Sequence, residues 1–229
     1  MSQTFFKLIQ SGATAELADV VQNDPSLARL RDSNGVSALM WSIYTGQALA
    51  RDFILAELIH QHVDLDIFEA AATGNTARLT EILIADPQTV NNYSTDGWTP
   101  LHLAAAFATP KAVQLLLQHG AKVDAVSKNP QANQPLHAAL ALSRNAESIQ
   151  LLLAAGADPD ALQTGGFSPI FSAATANRRD LAQLLLGHGA HAHLRSDQNK
   201  TPADFARERG HIELADWLVS RSLDEASSS

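Results

Sequence analysis

Four prolines set the frame of this 229-residue chain. They occupy the third place in Trp98-Thr99-Pro100-Leu101-His102, Asn133-Gln134-Pro135-Leu136-His137, Phe167-Ser168-Pro169-Ile170-Phe171 and Lys200-Thr201-Pro202-Ala203-Asp204, so their spacings are 35, 34 and 33. Each of the first three strings is followed by a leucine run and a glycine: Leu115-Leu116-Leu117 before Gly120, Leu151-Leu152-Leu153 before Gly156, and Leu184-Leu185-Leu186 before Gly189. A recurrence of this length marks a stack of small units, none of which can bury its apolar face alone.

Within one unit the residue types read as start and stop signals. Thr99 or Ser168 offers a hydroxyl to cap a helix, and Pro100 or Pro169 takes the first helical position, where a missing N–H costs little. Ala104-Ala105 and Ala173-Ala174 make a slim inner helix, and the leucine run makes a second, bulkier one. Gly120, Gly156 and Gly189 follow where a left-handed residue ends that helix, while Gly97 and Gly166 stand where a tight turn needs positive φ. Composition agrees: 39 Ala and 31 Leu against 9 Val and 10 Ile favour helix over strand.

The first hundred residues carry a second periodicity. Ser11-Gly12-Ala13-Thr14-Ala15-Glu16-Leu17 lies on Thr73-Gly74-Asn75-Thr76-Ala77-Arg78-Leu79, and Asp24-Pro25 on Asp86-Pro87, at an offset of 62. This predicts helix pairs over 5–30, 35–66 and 67–91, the second with about four inserted residues near Gln47 to Arg51. Because Asp66 runs straight into Ile67-Phe68-Glu69-Ala70-Ala71-Ala72, the hairpin between the second and third pairs is expected to be short or absent.

The unit from Asp96 through Asp124 resembles the ankyrin repeat, with Asp96-Gly97-Trp98-Thr99-Pro100-Leu101-His102-Leu103-Ala104-Ala105 nearly reproducing the family signature. Three further units match less completely. The one from Asn133 lacks the turn glycine and has about one extra residue near Ser143-Arg144-Asn145, the one from Gly165 has Phe171 in place of the motif His, and the last carries Ala203-Asp204. The resemblance implies an all-α solenoid of about seven helix-turn-helix units with short β-hairpin or loop fingers. It is expected to form a single domain over 1–222, with an N-terminal cap at 4–31, a C-terminal cap at 197–222 and a disordered tail at 223–229. His102 and His137, as motif residues, are expected to act as hydrogen-bonding struts between units.

Charge and composition bound the function. With 16 Lys+Arg against 24 Asp+Glu, the net charge of −8 argues against nucleic acid and against an anionic membrane surface. The sequence shows neither a membrane-spanning run nor a signal-like start, so a cytoplasmic location is expected. Zero Cys removes disulfides and thiolate chemistry. No Gly-x-Ser-x-Gly elbow occurs, and Gly165-Gly166-Phe167 lacks the lysine of a phosphate loop. His188, His191 and His193 lie close together, but no Cys and no helical i, i+4 pair preorganises them, so no catalytic residue, metal or cofactor is assigned.

The resemblance implies instead that a partner protein meets the hairpin tips and the exposed face of the inner helices. Those slots hold Tyr44, Asp96, Trp98, Phe107, Leu142 and Phe167, and aromatic anchors carry a disproportionate share of interface energy. The expectation is a monomeric, non-catalytic protein-protein interaction module presenting a rigid concave groove. Two alternatives stay open at this point: a regulatory or metal-binding accessory subunit of an enzyme system, and a secreted effector that binds host proteins.

Overall fold

The computed structural model describes residues 2–143 and 145–227, with side chains through Leu223. Seven consecutive helix pairs run through them: α1 (Ser2–Ser11) and α2 (Thr14–Asn23), α3 (Ala38–Tyr44) and α4 (Ala48–His60), α5 (Ile67–Thr73) and α6 (Thr76–Ala85), α7 (Pro100–Phe107) and α8 (Pro110–Gln118), α9 (Pro135–Ala138) and α10 (Ala146–Ala154), α11 (Pro169–Thr175) and α12 (Arg179–Gly187), α13 (Pro202–Glu208) and α14 (Ile212–Ser227). The first member of each pair stacks on the next such helix, from α1 on α3 through α11 on α13. The second members form an outer layer, with α2 on α4, α6 on α8 and α8 on α10.

Alanine makes the inner layer close: Ala71, Ala105 and Ala174 are wholly buried. Leucines of the outer helices fill the space between layers, and Leu79, Leu116, Leu152 and Leu185 are likewise at zero exposure. Burying one such leucine contributes roughly 1.5–3 kcal/mol. A handful of them therefore matches the whole net stability of a typical domain, ~5–15 kcal/mol. Inner helices pack on the inner helices of the next unit throughout the stack, so a unit is stable only within it.

The uneven proline spacing has two structural sources. Pro100 to Gly120 and Pro169 to Gly189 each span 20 residues, whereas Pro135 to Gly156 spans 21. The additional residue is absorbed as a π-helical stretch, Ala139–Ser143, that continues α9. Such single insertions into a helix often mark functional positions. Of the string Ser143-Arg144-Asn145, where the surplus was expected, Arg144 lies outside the described residues. The second source is the loop before Pro135, which runs 15 residues from Gly120 against 13 for the equivalent loops. The four residues inserted near Gln47 emerge as an extra turn of α4, which is 13 residues long where α8, α10 and α12 have nine.

The 62-residue periodicity is structural. Asp24 and Asp86 adopt matching backbone angles (φ −140° and −144°, ψ 86° and 89°), and each caps a 3₁₀ helix, Pro25–Arg29 and Pro87–Asn91. The missing finger is equally plain: six residues, 61–66, join α4 to α5, against 14 or 16 in the three junctions between α8 and α13.

The fingers are loops more than hairpins. Two are closed by an isolated bridge, Arg31 with Ser37 and Gln163 with Phe167, and no strand occurs among the described residues. Neighbouring fingers are instead tied tip to tip: Lys128 N–H donates to Gly97 O (2.8 Å), Thr164 N–H to Gln131 O (3.0 Å), and Asp197 N–H to Gly165 O (3.0 Å). Gly97 has φ 84°, and a Cβ there would meet the Lys128 carbonyl carbon at 2.7 Å, so both conformation and space demand glycine. Helix α14 runs through Ser227, so it enters the 223–229 segment; Ser228 and Ser229 lie outside the described residues. No helix among the described residues is long and apolar enough to cross a membrane.

Candidate partner-binding groove

The units are coupled by histidines. His102, on the first turn of α7, is wholly buried. Its Nε2–H donates to Asn133 O in the next finger (3.0 Å), while Nδ1 accepts from the Thr99 hydroxyl (2.8 Å) and the Thr99 N–H (3.3 Å). Only the neutral Nε2–H tautomer suits this set, because a proton on Nδ1 would face the fixed Thr99 N–H. Burial chiefly lowers the ring's pKa to about 4, and the neighbouring His137 adds to the shift. His137 repeats the arrangement, accepting from Gln134 N–H (3.3 Å) and donating to Phe167 O (3.2 Å), and burial lowers its pKa as well. The expected struts are present in both units that carry the motif His.

Other units fill the same position differently. Glu69 in α5 accepts from the Asp66 N–H (3.1 Å) and Asp204 in α13 from the Thr201 N–H (2.9 Å), but an ionised carboxylate has no proton to pass to a following unit. Glu69 is buried, which together with Asp66 raises its pKa, whereas the Thr201 backbone and hydroxyl bonds lower that of Asp204. At Phe171 the strut is replaced by aromatic packing. This corrects the expectation for Ser168: its hydroxyl does not accept from the α11 backbone, and with no ring nitrogen at 171 to receive its proton it is buried without a partner.

Two aromatic clusters face the finger side of the inner layer. In the first, Tyr44 from the end of α3 lies 5.6 Å from Phe107 at the end of α7, and Trp98 lies 6.5 Å from Phe107 and edge-on to His102 at 5.6 Å. The Tyr44 hydroxyl donates to Asp96 Oδ2 (2.6 Å), and the Ser94 hydroxyl donates to Asp96 Oδ1 (2.5 Å). Burial and then the Asp96 carboxylate raise the pKa of the phenol, which keeps it a donor. In the second cluster Phe167, Phe171 and Phe205 meet edge to face at 5.4–5.5 Å. Beside it opens a cavity of about 300 Å³, whose wall also includes Ala141, Thr175 and Arg209.

Four of the six residues singled out from sequence, Tyr44, Asp96, Trp98 and Phe107, thus converge although they span 63 positions of chain (44 to 107). Phe167 belongs to the second cluster. Leu142 joins neither; it stands 51% exposed on the π-helical stretch, next to Ala141 of the cavity wall. Sequence reasoning did not select Phe171, Phe205 or Arg209. The readable signal was the substitution at 171 itself, since an aromatic side chain in place of a strut requires an apolar neighbour from the following unit.

The histidine-rich loop is tied up locally. The His191 ring pairs with the Asp160 carboxylate, which also accepts the His191 N–H (2.9 Å), and the His191 and His193 rings stand 5.3 Å apart. His188 contacts Gln150 (3.2 Å). Among the described residues no group of three or more His, Asp or Glu side chains is placed to hold a metal ion.

A family model described as "Ankyrin repeats (3 copies)" matches residues 67–162 and 139–227. The chain is 35% identical over 133 residues to the B-cell lymphoma 3 protein homolog of Mus musculus, covering 58% of this chain and 29% of that protein. It is 38% identical over 115 residues to the Ankyrin repeat and SOCS box protein 16 of Mus musculus, covering 47% and 25%. To the Ankyrin repeat and SOCS box protein 11 of Danio rerio it is 30% identical over 139 residues, covering 56% and 46%. The chain therefore spans less than half the length of these relatives. Repeats of this kind typically serve as protein-protein interaction modules, and the helix pairs, the histidine struts and the matched segments together make this chain a member of the ankyrin repeat family.

Proposed function

We propose that the chain is a non-catalytic, monomeric, cytoplasmic interaction module that holds a partner protein in the groove between its fingers and inner helices. Tyr44, Asp96, Trp98, Phe107, Leu142 and Phe167 make the contacts. The observation that carries this reading is the pairing of half-buried aromatic rings with an open cavity beside the Phe167 cluster. Rings of this kind supply large contact area with little rotamer entropy to lose, and a partner closing over them removes the remaining exposed surface from water. The tip-to-tip backbone bonds and the struts hold the fingers in register, so little ordering is required when a partner docks.

The test is partner capture by the full chain against Trp98→Ala and Phe167→Ala, with melting temperatures measured alongside. Trp98 is part-exposed and packs on one side, so Trp98→Ala is expected to reduce capture at least tenfold, equivalent to about 1.4 kcal/mol or more. Its melting temperature falls by only a few degrees. Capture equal to that of the parent removes Trp98 from the site, and loss of the fold assigns it to the core.

A further inference from the structure

The finger missing between the second and third helix pairs leaves a space in the row, and the chain encloses that space without filling it. The fingers on either side lean together: a Cβ on Gly35 would lie 3.0 Å from the Thr95 methyl. Beneath this roof is a cavity of about 210 Å³. Its floor comes from α3 and the start of α5, and its side walls from the first finger and from Tyr93 to Asp96. A volume below the ~300–1,000 Å³ of small-molecule pockets suits one side chain better than a cofactor.

Two kinds of group dominate the walls. Three rings, Tyr44, Phe68 and Tyr93, border the cavity together with the carboxylates of Asp66 and Asp96. The wall also holds one cation, Arg31, whose guanidinium is committed to Asp66 (2.9 Å), Gly35 O (3.0 Å) and Glu69 (3.6 Å). Asp66 and Asp96 against Arg31 leave the wall with one excess negative charge, and Glu69 behind it shares the same arginine. The Asp96 oxygens each accept one hydroxyl, from Tyr44 and from Ser94, and a carboxylate oxygen has a second lone pair to offer. Tyr93 already attracts a cation: Lys128, which is outside the cavity wall, places its Nζ 4.1 Å from the ring centroid.

We propose that this cavity is a socket for one cationic side chain, a lysine ammonium or an arginine guanidinium, presented by the bound partner. The proposal deepens the interaction reading and rests on it for the source of the cation. An anion would meet the excess negative charge, and an apolar side chain would desolvate Asp66 and Asp96 without replacing their lost water. A cation satisfies both sets of walls, through the carboxylate lone pairs and through the negative ring faces.

The experiment needs no identified partner. Amide NMR spectra of the full chain are followed during titration with n-butylammonium and n-butylguanidinium, and with n-butanol as the uncharged control of similar size. The socket predicts saturable shifts centred on Tyr44, Phe68, Thr95 and Asp96 with at least one of the cations, and none with butanol. Asp96→Asn and Phe68→Leu are each expected to weaken the association roughly fivefold, while amide shifts remote from the cavity stay unchanged. No saturable shift with either cation, or equal shifts with butanol, overturns the socket. Failure here leaves Trp98-dependent partner capture untouched, whereas a cation response with no Trp98-dependent capture upholds the socket and removes the groove reading.

Discussion

Acidification tests the strut at its source. His102 is held neutral in the fold, with its pKa lowered from 6.5 to about 4, whereas an unfolded chain releases it to its ordinary value. Above pH 6.5 neither state binds the proton, and the strut contributes fully. Between 6.5 and about 4 the unfolded chain is protonated and the folded one is not, so stability falls by about 1.36 kcal/mol per pH unit. Across the whole window the loss is about 3 kcal/mol for this one ring, and His137 adds to it in the same direction. Glu69 opposes it: a carboxyl whose pKa is raised on folding contributes stability that is lost as pH rises, so acid favours the fold at that site. The measurement must therefore be a double difference. Urea unfolding of the parent and of His102→Gln, each at about pH 7 and about pH 4.5, cancels Glu69 and the remaining carboxylates, because Gln offers an acceptor and a donor without titrating. The parent is expected to lose about 2–3 kcal/mol more than the variant on acidification. A difference under about 0.5 kcal/mol, or an NMR titration of the His102 Hε1 with a midpoint near 6.5, would refute the buried neutral strut.

Two further substitution pairs test local physics. Thr99→Ala removes the hydroxyl that bonds His102 Nδ1 and is expected to cost about 1–2 kcal/mol, whereas Ser168→Ala removes a buried hydroxyl with no partner and is expected to be neutral or slightly stabilising; thermal melts of the two decide it. Gly97→Ala forces a Cβ against Lys128 backbone and is expected to cost more than about 2 kcal/mol, while Gly156→Ala, at φ 91° with nothing within 4 Å, should cost only about 1–2 kcal/mol. Equal costs would show that the finger ties contribute nothing, and amide exchange at Lys128 reads the same contact directly.

The architecture was readable because each unit carries its own punctuation. Proline, leucine run and glycine recur at nearly fixed offsets, and the absent finger followed from Asp66 abutting Ile67. His102 and His137 were readable as struts because the motif position leaves a ring little else to do. What escaped was the product of contacts between units. The surplus near Ser143 could be counted, but its form as a π-helical stretch depends on how α9 packs against α7 and α11. Ser168 looked like a cap because a hydroxyl before proline usually is one; the ring at 171, three residues on, removes the partner that Thr99 enjoys. The cavity beneath Gly35 and Thr95 was unreadable, since nothing local says that two fingers 60 residues apart will touch.

One position per unit connects these findings. Taken along the stack it holds Met40, Glu69, His102, His137, Phe171 and Asp204. Imidazole alone among these side chains accepts at one end and donates at the other, so His102 and His137 draw the next finger to within about 3 Å. Glu69 cannot donate onward, and the socket for a cation opens beside α5; the Phe171 ring makes no hydrogen bond, and the second cavity opens beside α11. Two of the units that lack the histidine thus border a recess. If that relation is causal, Phe171→His should restore a bond to the following finger and shrink the cavity beside Phe205. Partner capture would then fall while thermal stability held or rose, and a variant that gained stability with capture intact would break the link between lost struts and binding surface.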